Sequence, residues 1–116
     1  VITEDQEQAA AAQYLDLIGV LWCHPPNGGH RNKIVAAKLK KHGAKPGVPD
    51  ILIFTPPPKC PQYRGVAIEL KRMKGGVLSQ SQKDWIYDLT ECGWLVKRCN
   101  GSGEVVDFCK ELGFQP

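Results

Sequence analysis

Two short apolar runs set the frame for the fold: Asp50-Ile-Leu-Ile-Phe54 and Gly65-Val-Ala-Ile-Glu-Leu-Lys71, separated by a polar connection, Thr55 to Arg64, with three consecutive prolines at Pro56 to Pro58. Both runs are rich in branched residues that suit a pleated surface, and proline cannot donate to a sheet ladder. The runs therefore read as strands that pair in a hairpin with a long loop. Side chains alternate along the second run, so Val66, Ile68 and Leu70 line one face while Ala67, Glu69 and Lys71 line the other. An acid and a lysine share one face of a strand whose opposite face is apolar.

The flanking segments alternate between helical and extended patterns. Thr3 to Ile18 reads as a helix: Thr3 caps it, Glu4 and Asp5 suit the positive end of its dipole, Ala9 to Ala12 favour it, and Gly19 stops it. Its inward stripe comprises Ala11, Leu15 and Ile18; one turn back lies Glu7, and one turn further Glu4, so a carboxylate points towards the core. Val20 to Cys23 reads as a strand and His24-Pro-Pro-Asn-Gly-Gly-His30 as a loop. Asn32 caps a helix over Lys33 to His42 with Ile34, Val35 and Leu39 as its apolar positions, and Ala44 to Pro49 forms another loop. Ser79 and Gln82 have the spacing of a capping box, from which Trp85, Ile86 and Leu89 continue a helix to Gly93. Trp94 to Cys99 reads as a last strand, Asn100-Gly101 as a turn, and Gly103 to Leu112 as a closing helix. Trp22, Trp85 and Trp94 lie in apolar strands or on a helix stripe and are expected in the core, away from any base-stacking surface.

A chain of 116 residues, 42% hydrophobic, is large enough for one core without staples, so residues 1–116 read as a single α/β domain with a mixed sheet flanked by helices. No run of about 18 apolar residues spans a bilayer, and the opening Val1-Ile-Thr-Glu4 lacks a secretory pattern. The expectation is a cytoplasmic protein with no membrane partner. The five cysteines are odd in number and never spaced as CxxC, which favours free thiols over a disulfide framework. A zinc site from Cys23, His24 and His30 lacks paired ligand spacing and is set aside.

The net charge of +3 is unevenly spread, because no acid occurs between Asp16 and Asp50 while that interval holds Arg31, Lys33, Lys38, Lys40, Lys41 and Lys45. Such a block either neutralises phosphates or forms a solvated helix face. Charge alone leaves the two readings even, and the position of the block relative to a site has to decide between them. Asp50 follows Pro49, and if the two strands pair, its carboxylate meets that of Glu69 around one cation. Oxygen ligands completed by water suit Mg²⁺ or Mn²⁺, which lower the pKa of a bound water and bear charge on a phosphoryl oxygen. Lys71 is placed to orient the attacking water or to neutralise the transition state. A lone Glu-x-Lys is an ordinary surface pair worth under about 1 kcal/mol; the whole set carries the reading.

Pro49-Asp50, Glu69-Leu-Lys71, Gly75-Gly76 and Ser79-Gln-Ser-Gln82 together resemble the PD-(D/E)xK nuclease superfamily. More narrowly, Gly47-Val-Pro-Asp50, Ile68-Glu-Leu-Lys71, Leu78-Ser-x-x-Gln82 with Trp85, and Gly93-Trp-x-Val96 are similar to the VRR-NUC (virus-type replication-repair nuclease) family. Pro26-Asn-Gly-Gly-x-Arg31 and Glu4-x-x-Glu7-Gln8 also match it, so the resemblance covers nearly the whole chain. It implies a restriction-endonuclease-like core and a metal-dependent DNA endonuclease. It adds a first-helix carboxylate, carried to Glu7 with Glu4 as the alternative, to the ligands Asp50 and Glu69, and makes the main-chain carbonyl of Leu70 a further ligand. Gln82 then either contacts the site or scissile phosphate or only caps its helix, and Asn27, Arg31, Lys33 and Lys74 contact DNA. Stand-alone members look like homodimers that cut branched DNA such as four-way junctions. The competing readings are a flap or restriction-type nuclease on linear duplex, a non-catalytic DNA-binding module, and, last, an interaction domain built on the Pro56 to Pro58 loop.

Overall fold

Local capping chemistry defines where the helices begin. In the computed structural model, which describes residues 2–26, 32–71 and 76–115, Thr3 opens helix α1 (Glu4–Ile18) through a capping box with Gln6. Asn32 caps α2 (Lys33–Lys41) by accepting from Val35 N, and Ser79 with Gln82 forms the capping box of α3 (Gln80–Glu91). The last helix, α4 (Ser102–Glu111), starts from Gly101, which has no side chain to offer. Its cap comes from elsewhere in the fold.

The strands are β1 (Trp22–Cys23), β2 (Ile51–Ile53), β3 (Val66–Lys71) and β4 (Leu95–Asn100), in the sheet order β1-β2-β3-β4. Pairing is antiparallel from β1 to β2 and from β2 to β3, and parallel from β3 to β4, with α3 as the crossover. The expected hairpin is therefore present, in register Ile51 to Ile68 and Ile53 to Val66. These four residues, with Leu70, are buried together with Ala11 and Leu15 of α1 and Val105, Phe108 and Cys109 of α4. This is the apolar face that alternation along β3 predicts. Ala67 and Glu69, on the opposite face, are buried as well, which marks β3 as the central strand of a mixed α/β sheet.

Several boundaries and surfaces differ from the pattern in the sequence. Strand β1 has two residues and β2 three; next to them Phe54 N donates to the Leu21 carbonyl at 2.7 Å, while Leu21 N donates to the side chain of Thr55, at Oγ1, at 2.9 Å. Strand β4 reaches Asn100 because it follows β3 in register to Lys71. The three tryptophans are half-buried: Trp22, at the rim of the core, donates from Nε1 to Asp16 Oδ1 at 2.8 Å, and Trp94 packs edge-on against Phe54. An indole carries a polar N–H, and the rim lets that group reach a partner. The largest departure is α2, which buries no residue and leaves Ile34 81% exposed, so its apolar positions do not face the core.

Gly47 brings the loop before Asp50 onto α3. Its φ of +88° is left-handed, and a Cβ there would lie 2.5 Å from the Ser81 carbonyl carbon and 2.8 Å from Gln82 N. Only glycine fits so close to another backbone. All five cysteines are free, and burial pushes the Cys99 and Cys109 thiols up to about 12 and about 11, which keeps them uncharged. Among the described residues no helix is long and apolar enough to cross a membrane.

Candidate active site

Where β2 begins, the side chain of Asp50 takes over the role of the ladder. Its Oδ2 accepts from the Leu70 N–H at 2.8 Å, so the main chain of β3 fixes the carboxylate beside Glu69. On the other side, the Asp50 carbonyl accepts from Nδ1 of the exposed His24 at 2.6 Å, a contact that orients the imidazole. Sequence reasoning placed His24 in a loop and, with Cys23 and His30, in a zinc site that was set aside. Its approach to Asp50 depends on β1 lying beside β2, which no local pattern shows.

Glu69 is 2% exposed. Its Oε1 accepts from Gln82 Nε2 at 3.1 Å and lies 3.9 Å from Lys71 Nζ, while Oε2 is buried without a donor among the described residues. Lys71 Nζ in turn donates to Gln82 Oε1 at 3.4 Å. That same oxygen accepts from Ser79 N at 2.8 Å, so the two roles weighed for Gln82, capping and contact with the acidic centre, coexist in one side chain.

Burial is the main cause that pushes the Glu69 carboxyl up to about 8, followed by the Asp50 charge and a hydrogen bond with Asp50; the Lys71 ammonium opposes the rise and Glu4 adds to it. Two carboxyls this close share a proton when nothing else lies between them. A cation would replace that proton and occupy the side of Glu69 that lacks a donor. Among the described residues no three His, Cys, Asp or Glu side chains converge as a ready-made cage. The acidic centre is the pair Asp50 and Glu69, which suits an ion that keeps much of its water.

The two α1 carboxylates separate clearly. Glu7 is buried, but its Oε2 accepts from Ser102 N at 3.1 Å and its Oε1 from Ser102 Oγ at 3.2 Å. It thereby caps α4 from a different helix, satisfying an N–H that Gly101 has no side chain to accept. Glu4 is exposed on the first turn of α1, and its charge is felt at Glu69. Of the residues expected to contact DNA, Lys33 stands exposed at the start of α2, whereas Asn27, Arg31 and Lys74 lie outside the described residues. His30, part of the zinc alternative, also lies outside them.

A family profile described as the VRR-NUC domain matches residues 2–103. Among solved structures, a chain titled "VRR_NUC domain protein" superposes with a TM-score of 0.78 over 97% of this chain and 88% of that one, at 24% sequence identity. That likeness carries the fold. No curated protein matches the chain.

The raised pKa of Glu69 has a direct consequence for stability without metal. The folded chain holds a proton that the unfolded chain releases near the ordinary value of 4.5, so the contribution of Glu69 to stability is full below that value and is lost as pH rises towards about 8. Denaturant midpoints measured with chelator from about pH 5 to pH 8.5 should show this fall, and Glu69→Gln should flatten it.

Proposed function

The chain belongs to the VRR-NUC domain family, a family of nucleases, and we propose that it is a metal-dependent DNA endonuclease in which Asp50 and Glu69 hold Mg²⁺ or Mn²⁺ beside Lys71. The observation that carries this reading is the buried Glu69 carboxyl: one oxygen is braced by Gln82 and Lys71, and the other, beside the charge of Asp50, meets no donor among the described residues. Two carboxylates with the main-chain carbonyl of Leu70 and water match the oxygen shell these cations accept. When bound, the ion supplies a water of lowered pKa and polarises a phosphoryl oxygen. Lys71 orients the attacking water or takes up charge growing on the phosphoryl oxygens, and Gln82 holds the ammonium and Glu69 in fixed relation. From α1 we assign the third carboxylate to Glu4, because Ser102 occupies both oxygens of Glu7 and Glu4 contributes to the field at Glu69.

The substrate is duplex DNA, docked along α2. Its exposed lysines, Lys33, Lys38, Lys40 and Lys41, have no acid between them and take the phosphates; Asn27, Arg31 and Lys74, outside the described residues, add to them in this reading. Branched DNA such as a four-way junction is the preferred form and a homodimer the active species. One chain supplies one acidic centre, and paired cuts across a branch need two sites related by a twofold axis.

Incubated with linear, flapped and four-way DNAs, the protein should cut in Mg²⁺ or Mn²⁺ and not in chelator. Asp50→Ala, Glu69→Ala and Lys71→Ala should each lower the rate by about 10²–10³-fold or more while DNA affinity changes little. Cleavage that survives Glu69→Ala would overturn the assignment. Sedimentation that shows only monomer alongside paired cuts would remove the dimer.

Calorimetry with Mn²⁺ separates the two first-helix acids. Glu4→Gln should weaken binding at a cost in stability of no more than about 1 kcal/mol from the lost charge at the start of α1; Glu7→Gln should leave binding in place and lower stability by about 1–3 kcal/mol, because the part-buried Ser102 N–H and O–H lose one of their two acceptor oxygens. For the DNA surface, exchange of Lys38, Lys40 and Lys41 for Gln should make log K against log salt shallower by about 0.9 for each phosphate that is no longer neutralised.

A further inference from the structure

The parallel register of β3 and β4 sets Arg98 opposite Glu69 and Asn100 opposite Lys71. From there the Arg98 guanidinium reaches across the sheet end: Nη2 donates to the Gly76 carbonyl at 2.6 Å and Nε to Asn100 Oδ1 at 3.3 Å. The Nη2 bond is short and charge-assisted, the stronger class of hydrogen bond. Gly76, with φ +81°, faces the stem of Lys71 across a space that one carbon would fill; a Cβ added there would fall 3.3 Å from Lys71 Cδ, 3.6 Å from Lys71 Cβ and 3.6 Å from Arg98 Nη2. Arg98, Gly76 and the aliphatic part of Lys71 thus form one contact set.

The far end of this set is also held. Asn100 N donates to Glu104 Oε1 at 3.0 Å and Gly101 N to the Lys71 carbonyl at 2.8 Å, so the first turn of α4 anchors the strand end that carries Asn100. A lysine has four rotatable bonds, and an unsupported one sweeps a volume far larger than the space between Glu69 Oε1 and Gln82 Oε1. Lys71, whose side chain is 13% exposed, stays in that space because its stem has a wall on the side of Gly76.

We propose that Arg98 is a positioning residue: by clamping Gly76 it presses the chain against the Lys71 stem and keeps the ammonium between Glu69 and Gln82. The kinetic part of this proposal rests on the nuclease reading; the side-chain part does not. A displacement of about 1 Å at a reacting group costs up to about 10²-fold in rate, which sets the scale of the effect.

The first test needs no turnover. In metal-free protein, the rate at which an amine-acetylating reagent modifies Lys71, followed by mass spectrometry, should rise in Arg98→Ala and in Arg98→Lys, since the single nitrogen of a lysine does not reproduce the fork by which Nε and Nη2 reach Asn100 and Gly76 separately. An unchanged rate in both variants would overturn the proposal, even if the protein cuts no DNA. The second test is kinetic. Both variants should lower kcat about 10- to 100-fold with KM for DNA and Mn²⁺ affinity within about twofold of the parent, and Arg98→Ala should have no further effect in a Lys71→Ala background. A raised KM that Arg98→Lys restores would mean that Arg98 binds a DNA phosphate, and would overturn the positioning role. Should Arg98→Ala fail to fold, Arg98→Lys, which keeps the charge and most of the volume, carries both tests.

Discussion

The structure turns on the confinement of two carboxyls, Asp50 and Glu69, at the end of a sheet whose central strand is covered on both faces. Like charges removed from water are costly, and a fold keeps such a pair only where something of opposite charge joins it or where a proton is shared. Every nearby element contributes to holding that arrangement. The Leu70 N–H fixes Asp50, the start of α3 supplies an amide to Glu69, and the Gly47 loop brings those two elements into contact. The apolar core of α1, α4 and the opposite sheet face gives this otherwise unfavourable cluster a rigid base.

The first helix shows how one periodicity can carry two unlike tasks. Glu4 and Glu7 lie about one turn apart on nearly the same face, so the amphipathic pattern alone cannot tell them apart. What separates them is the position of the α4 N-terminus, where Gly101 leaves an uncapped turn that Glu7 fills. That meeting of residues 95 positions apart is a tertiary event. A buried acid near an acidic centre invites a catalytic role, and here its hydrogen bonds explain its burial as a clamp between helices.

Much of the fold was legible because it rests on short-range rules. Alternation along Val66 to Lys71, the capping boxes at Thr3 and Ser79, and the proline-rich break between the hairpin strands all act over a few residues. What escaped the sequence depends on neighbours distant in the chain. Ile34 and Val35 look like core positions by spacing, yet no described element covers them on α2. Arg98 reads as an ordinary strand arginine until the parallel register puts it across from Glu69. Alternation and the expected hairpin already brought Asp50, Glu69 and Lys71 together in the sequence, and the VRR-NUC resemblance gave that set a family.

The dual engagement of Gln82 limits what evolution can place there. A capping box accepts glutamate at this position as readily as glutamine, since either side chain offers an oxygen to the backbone N–H of Ser79. Helix formation is therefore indifferent to the choice. Glutamate, however, would add a third anion against Glu69 and delete the amide proton that Glu69 Oε1 receives, while its charge drew the Lys71 ammonium out of line. The selection of amide over acid is imposed by the neighbours of α3, and a swap that any secondary-structure criterion scores as neutral would rewrite the electrostatics of the whole cleft.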